Sequence, residues 1–345
     1  MTFSNRLIQW YLENKRDLPW RNTTNPYQIW LSEIILQQTR VAQGLPYYLR
    51  FVENFPTVFD LANASEEQVL KLWQGLGYYS RGRNLHKTAQ IIAFECNEMF
   101  PKTYTELLKL KGIGTYTAAA IASFSQKEVV PVVDGNVFRV LARYFDVETD
   151  ISSATAKKEF TALANELIDK KQPDLFNQAL MEFGALQCVP KNPICSMCIF
   201  NESCAALQKK KVDLLPIKLK KTKVTERYFN YLVFEDESGN LLIQQRTSKG
   251  IWHNLYEFPL IESEKELDEE ELIEKISTTS FLTNKLVSIK PFDEKSVLHI
   301  LSHQRLKIRF WGLNVDGKIE KGISKEAVKK FPFPIVIFNF IEKNF

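Results

Sequence analysis

Two carboxylates and four cysteines hold most of the chemistry open to this 345-residue chain. Glu33 lies in NPYQIWLSEIILQQTRV, where Ile29, Trp30, Ile34 and Val41 mark an apolar helical stripe. It falls three residues past Trp30 and four past Ile29, on that same stripe. Among apolar groups a carboxyl is desolvated, its neutral form is favoured and its pKa rises, as a general acid near neutral pH requires. The position equally suits a glutamate at the stripe's edge, reaching water or an arginine. Asp134, in EVVPVVDGNVFRVLAR, stands between an extended apolar run and an amphipathic helix, where an aspartate ordinarily serves as N-cap. Amide bonding there would keep it ionised and able to stabilise a developing cation. With a protonated Glu33 it would complete the two-carboxylate logic for splitting a glycosidic bond.

Cys188, Cys195, Cys198 and Cys204 follow the spacing C-x6-C-x2-C-x5-C. Four thiolates that close suit a tetrahedral metal or one [4Fe–4S] cluster. Zinc ribbons mostly use two CxxC knuckles, and this run has one. Nothing at the N-terminus reads as a signal peptide, so an oxidising compartment and disulfides are not expected. Cys96, far upstream in an apolar stretch, reads as ordinary core. A third constellation is LLKLKGIGTYTAAAIASF: a helix ends at Gly112, turns through Ile113 and Gly114, and restarts at Thr115. Bare backbone at a helix N-terminus can face a phosphate, although glycine at a helix C-cap is also common in plain helical hairpins.

The elements that must position these groups change character along the chain. Apolar residues recur at three- and four-residue intervals in the first 208 residues: one segment at 27–49, then 66–73, 84–94, 105–110, 115–124, 135–145, 156–169 and 176–186. Pro26, Pro56, Gly75, Gly77, Pro101 and Pro131 punctuate them. Acid and base balance over this part, whereas residues 209–223 hold seven lysines against Asp213 alone. That run is either a solvated linker or a contact for a phosphate backbone. Beyond it, 228–235 and 241–246 read as a hairpin about Ser238-Gly239-Asn240, with further strands at 286–290, 297–301 and 306–313 and an acidic helix over 262–274. A helical domain followed by a smaller α+β domain is expected, and no apolar run is long enough to span a membrane.

Taken together, LPWR (18–21), WLSEIILQQTRV (30–41), WQGLGYYSRGRNL (73–85), LKGIGTYTAAAI (110–121), VVDGNVFRVLAR (132–143), FNQALMEFGALQC (176–188) and the cysteine run resemble the helix–hairpin–helix, iron–sulfur DNA glycosylases. More narrowly, they resemble the adenine DNA glycosylase (MutY) family. The resemblance implies a glycosylase domain at 1–207 with its hairpin at about 105–125 and a [4Fe–4S] loop at 188–204. It further implies a lysine-rich linker at 208–224 and a Nudix-like lesion-recognition domain at 225–345. The implied activity is monofunctional removal of adenine opposite 8-oxoguanine or guanine in duplex DNA. The implied setting is a monomeric, cytoplasmic, nucleoid-associated protein.

By the same resemblance Glu33 is the acid that protonates adenine N7, Asp134 stabilises the sugar cation, and Tyr116 and Asn136 assist at the sugar. Endonuclease III-type relatives carry a Schiff-base lysine at the position of Tyr116, and a phenol cannot form that imine. Their damaged-pyrimidine lyase activity is the alternative, as is a non-catalytic DNA-binding protein. Arg16, Leu18, Trp20 and Arg21 would wall the adenine pocket. Gln38, Thr39, Leu76 and Tyr78 would enter or touch the duplex beside the damaged guanine, Gly112 and Gly114 would meet phosphates, and Lys191 would meet the backbone from the cluster loop. Ser302 and His303 would face the lesion, with Leu301 standing where the family's tip has Phe. Residues 262–275 have acids but not the R-E-x-x-E-E register of a working Nudix hydrolase.

Overall fold

A computed structural model describes residues 2–96, 99–219, 223–279, 281 and 284–345. The helices are α1 (Phe3–Asn14), α2 (Pro26–Ile35), α3 (Val41–Asn54), α4 (Val58–Asn63), α5 (Glu66–Trp73), α6 (Ser80–Glu95), α7 (Tyr104–Leu107), α8 (Thr115–Gln126), α9 (Gly135–Phe145), α10 (Ala154–Leu167), α11 (Pro173–Leu186) and α12 (Ala205–Gln208). There follow β1 (Thr225–Glu235), β2 (Asn240–Leu241), β3 (Gln244–Gln245), β4 (Tyr256–Glu257), β5 (Leu260–Ser263), α13 (Glu269–Ser277), β6 (Leu286–Pro291), β7 (Val297–Ile300), β8 (Gln304–Val315), β9 (Ile323–Ser324), α14 (Lys325–Val328) and α15 (Ile335–Asn344).

Two compact units result: one holds the described residues of Met1–Asn63 and Asn84–Lys220, the other those of Ala64–Arg83 and Lys221–Phe345. The division is not a single cut, because α5 and the Gly75–Tyr79 segment lie with the C-terminal unit.

The helical unit is built from capped, amphipathic segments. Asn25 accepts from Tyr27 N at 2.9 Å with Pro26 in the first turn of α2, Ser153 caps α10, and Thr103 and Glu106 cap each other reciprocally at α7. Such caps each contribute about 1 kcal/mol. Leu7 and Tyr11 of α1, Leu141 of α9, Phe160 of α10 and Phe176 and Phe183 of α11 share one core. The α1 helix, not expected above, is capped by Thr2 and buries Leu7, Ile8 and Tyr11. The segment expected as one helix over 27–49 is two helices, because Gln38 takes a left-handed φ of +56° and breaks the run between Ile35 and Val41. Gly44 lets the second helix come close, since a Cβ there would stand 2.7 Å from Leu36 Cδ2. Cys96 is half-buried just past α6, not core.

In the C-terminal unit the sheet runs β6–β8–β1–β2–β9, with β7 also on β8 and β5 on β1. Its centre is the parallel pair β1/β8, in register from Thr225↔Gln304 to Glu235↔Asn314. Leu232, Phe234, Trp311 and Leu313 form its core on one face, and the Trp311 indole donates to Asn230 Oδ1 at 3.2 Å. The Ser238-Gly239-Asn240 turn joins β1 to antiparallel β2, as its residues predict. The expected strand over 241–246 is split: after Leu241 the chain leaves the main sheet, and Gln244–Gln245 pair with Tyr256–Glu257 instead. The acidic helix begins later than expected, because Leu260–Ser263 pair with β1. Asp268 caps it and Glu271 closes the capping box, so two of its acids serve the helix start. In the lysine run, Lys209 reaches Asp146 at 2.7 Å and Lys211 reaches both Asp146, at 3.1 Å, and Glu148.

Candidate active site

Glu33 is carried into the interior by the apolar stripe of α2 and is 7% exposed. Its Oε2 accepts from the Tyr116 hydroxyl at 2.6 Å, from the first turn of α8. Burial raises the Glu33 pKa to about 7; the Tyr116 bond opposes the rise, the negative field of Asp134 adds to it and Arg21 opposes it. Asp134 caps α9 as its position predicts, accepting from Val137 N and from the Asn136 side-chain amide, each at 2.8 Å. These amides favour its ionised form, as expected, but they act against burial. Burial is the larger effect and raises the Asp134 pKa, with the Val137 and Asn136 donors and Arg139 opposing. Burial also raises Tyr116 far above the ordinary phenol, so it stays a proton donor to Glu33.

These four groups open into one cleft of about 540 Å³, also lined by Arg16, Leu18, Trp20, Arg21 and Thr39. That size suits a small aromatic ligand. Leu18 and Trp20 are buried walls, 5% and 9% exposed. Arg16 and Arg21 converge on Glu182 of α11, their Nη2 atoms each 2.6 Å from its Oε2. Burial would raise the Glu182 pKa, but the two guanidiniums hold it at about 2. Glu182 was missed in the sequence, although it carries the signal that marked Glu33. It lies among Ala179, Leu180 and Phe183 on the buried side of an apolar helix.

Other predicted residues, Thr39 apart, fall outside that cleft. Gln38 is exposed, and Thr39 Oγ1 donates to Gln37 O at 3.3 Å. Gly112 has φ +85°, and a Cβ on Gly114 would meet nothing within 4 Å, so the turn before α8 offers open backbone. Lys191 is exposed in the loop that follows Cys188. In the C-terminal unit Tyr78 is 49% exposed with a left-handed φ of +47°, a costly conformation for an aromatic residue. Leu76, expected to project with it, is only 5% exposed. Ser302 and His303 form the exposed tip between β7 and β8, with Ser302 Oγ and His303 Nδ1 2.9 Å apart and Leu301 half-buried behind them.

The four cysteines line a second cavity, walled by Val140, Tyr144, Phe183, Phe200 and Leu207. Among the described residues no three of His, Cys, Asp or Glu are gathered tightly enough to hold a single metal ion. Four thiols lining one apolar cavity are the donor set that a metal centre requires. Arg143 supplies a cation, donating to Cys188 Sγ at 3.4 Å and to the carbonyls of Val189 and Pro190. Arg139 joins the two cavities. Its Nε donates to Cys188 O at 2.7 Å, and its Nη2 donates to Asn136 Oδ1 at 2.8 Å and to Gly184 O at 2.6 Å. Gly184 permits the approach, since a Cβ there would lie 2.7 Å from Asn136 Cβ.

Comparison with known proteins places this arrangement. The model of the HhH-GPD superfamily base excision DNA repair protein matches residues 31–167, and that of the NUDIX domain matches 230–343. An adenine DNA glycosylase of Buchnera aphidicola (subsp. Schizaphis graminum) is 34% identical over 309 residues, 89% of this chain and 86% of that protein. The chain belongs to the adenine DNA glycosylase family. The human adenine DNA glycosylase is 32% identical over 371 residues, 92% of this chain and 67% of its own length. Among solved structures, a thermostable thymine-DNA glycosylase is similar with a TM-score of 0.55 and 26% identity, over 60% of this chain and 95% of that one. A trapped endonuclease III–DNA covalent intermediate has a TM-score of 0.53 at 21% identity, over 60% and 94% of the two chains, a likeness of fold. The family thus has its helical repair domain followed by a Nudix-like domain, as the sequence predicts. Among the described residues no helix is long and apolar enough to cross a membrane.

Proposed function

We propose that this chain hydrolyses the N-glycosidic bond of adenine mispaired with 8-oxoguanine or guanine in duplex DNA. One observation carries the reading: a buried glutamate with a pKa near 7 shares a cleft with an N-capping aspartate. Burial keeps Glu33 able to hold a proton near neutral pH, and it donates that proton to N7, so the base leaves neutral. Asp134, oriented by Val137 N and Asn136, supplies negative charge beneath the sugar as the oxocarbenium character develops. Its ionised form is the effective one, and a cationic sugar drawn into the cleft favours it.

Tyr116 orients Glu33 and offers no amine, so the product is an abasic site, not a cleaved strand. Adenine must leave the stack to reach the cleft, where Leu18 and Trp20 would pack against it. Gln38 and Tyr78 would fill the duplex beside the damaged guanine, with the Gly112–Gly114 turn on phosphates. Ser302 and His303 would hydrogen-bond the lesion, dividing the labour between a catalytic part at 1–207 and a recognition part at 225–345. Cys188, Cys195, Cys198 and Cys204 would hold a [4Fe–4S] cluster, which organises the loop bearing Lys191 against the DNA backbone. Hydrolysis of a protonated adenine nucleoside needs no cofactor. The protein would act as a monomer in the cytoplasm, on the nucleoid.

The test is alkali-dependent scission of a duplex bearing one adenine opposite 8-oxoguanine, with Glu33→Gln in parallel. Wild type should expose an alkali-labile site and the variant should not. An untouched adenine with wild type, or equal release by the variant, refutes the reading.

A further inference from the structure

The Gly75–Tyr78 turn joins α5 to α6, and both its flanks are bonded to the backbone of one distant residue. On the entry side, Gln74 Oε1 accepts from Phe333 N at 2.9 Å. On the exit side, the Tyr79 hydroxyl donates to Phe333 O at 3.3 Å and accepts from Gly75 N at 3.3 Å. Phe333 is 0% exposed and sits in Phe331-Pro332-Phe333-Pro334, where each proline ring fixes φ on either side of it. Two further ties frame the turn. Lys71 Nζ donates to Lys329 O at 2.6 Å and Phe331 O at 3.1 Å, and Arg83 Nη1 donates to His253 O at 2.7 Å. Inside the turn the Trp73 indole donates to Gly77 O at 3.0 Å.

We propose that the Phe333 backbone is a clasp by which the C-terminal domain positions the Tyr78 turn, with Gln74 and Tyr79 as the positioning residues. The inference rests on the reading of Tyr78 as a side chain that enters the duplex beside the lesion. A wedge of that kind works against base stacking. A large aromatic side chain held in a left-handed turn would relax before it parted two bases unless the turn were pinned. Here both flanks are pinned by one proline-stiffened residue of the domain that carries the Ser302–His303 tip. The clasp therefore gives that domain a second task besides touching the lesion: it sets the height and direction of the wedge.

Full-length wild type, Gln74→Ala, Tyr79→Phe, the double variant and Tyr78→Ala would be compared by two measurements. Hydrogen exchange in the DNA-free proteins should speed up by about tenfold in the amides of residues 75–81 in the double variant, with the β1 and β8 amides unchanged. Single-turnover release of adenine opposite 8-oxoguanine should fall by about tenfold in the double variant. In the Tyr78→Ala background the clasp substitutions should add nothing further, whereas simple loss of folding stability would add in any background. Unchanged exchange in the turn, or fully additive effects with Tyr78→Ala, overturns the clasp. If wild type leaves the adenine in place, the functional reading falls, and the exchange measurement still decides the clasp.

Discussion

The Tyr116 hydroxyl donates to Glu33 Oε2 across 2.6 Å, tying the first turn after the glycine hairpin to the one carboxyl buried in α2. The bond stabilises the charged form of Glu33, while burial favours its neutral form and wins, leaving a pKa of about 7. The acid is thus tuned by two neighbouring elements of one helical unit.

The balance sets the pH profile. Single-turnover release should fall by about tenfold per pH unit above 7, as the protonated form of Glu33 is depleted. Tyr116→Phe removes the donor that lowers the pKa, so its midpoint should move to higher pH. A profile flat from about pH 6 to 9, or a midpoint moved downward, contradicts the assignment of Glu33 as the acid.

Stability should respond in the same window. The folded-state pKa of Glu33 is raised from 4.5 to about 7, so the folded protein holds an extra proton between those values. Wild-type stability therefore falls as pH rises through that range, and the loss is complete above it. Glu33→Gln lacks this loss and should exceed wild type above pH 7, by on the order of 2 kcal/mol. Thermal melts at pH 5 and pH 8 read it: the variant's advantage must appear only at the higher pH.

Glu182 behaves in the opposite sense. Held at about 2 by Arg16 and Arg21, it contributes stability that is present above its ordinary pKa of 4.5 and lost as pH falls from there toward 2. Glu182→Gln leaves the two guanidiniums facing each other across the cleft and should cost about 2 kcal/mol near neutral pH. Acid unfolding followed by circular dichroism should show a shallower loss between pH 4.5 and pH 2 in the variant than in wild type. Coincident acid transitions would mean that the carboxylate is not the anchor of this wall.

Arg139 and Cys198 separate two roles of the cysteine loop. Arg139→Gln cuts the tie from Cys188 O to Asn136 Oδ1 and should slow adenine release by about tenfold. Iron content and the visible absorbance of the purified protein should be retained. Cys198→Ser should instead lower iron content, thermal stability and DNA affinity together. Intact DNA binding by Cys198→Ser, with only chemistry lost, would place the cluster in the reaction and not in the loop.

Much of this was legible because the relevant signals are local. The helical period of α2 put Glu33 on a buried stripe, and the junction before α9 marked Asp134 as a cap. The turn glycines gave the hairpin before α8. Where local signals compete, the sequence does not decide between them. Apolar periodicity runs on through Gln37-Gln38-Thr39, so nothing local revealed the break between α2 and α3, which a left-handed Gln38 creates. The run 241–246 has strand composition throughout, yet its pairing is divided between two sheets by partners far away in sequence.

The sequence by itself determined the family, the order of helical and sheet segments, and the two carboxylates, since each is written in contiguous motifs whose physics is local. Tertiary structure decided the strength of those groups. Desolvation depends on everything packed around a side chain, so the pKa of Glu33 near 7 and the net upward shift of Asp134 exist only in the folded cleft. It also decided the partnerships that span the chain: Glu182 between Arg16 and Arg21, Arg139 between the cysteine loop and Asn136, and Phe333 between Gln74 and Tyr79. Except for Arg139 and Asn136 within one helix, these pairs are separated by tens to hundreds of residues, and no period or spacing in one sequence records which distant partner a hydrogen bond will find.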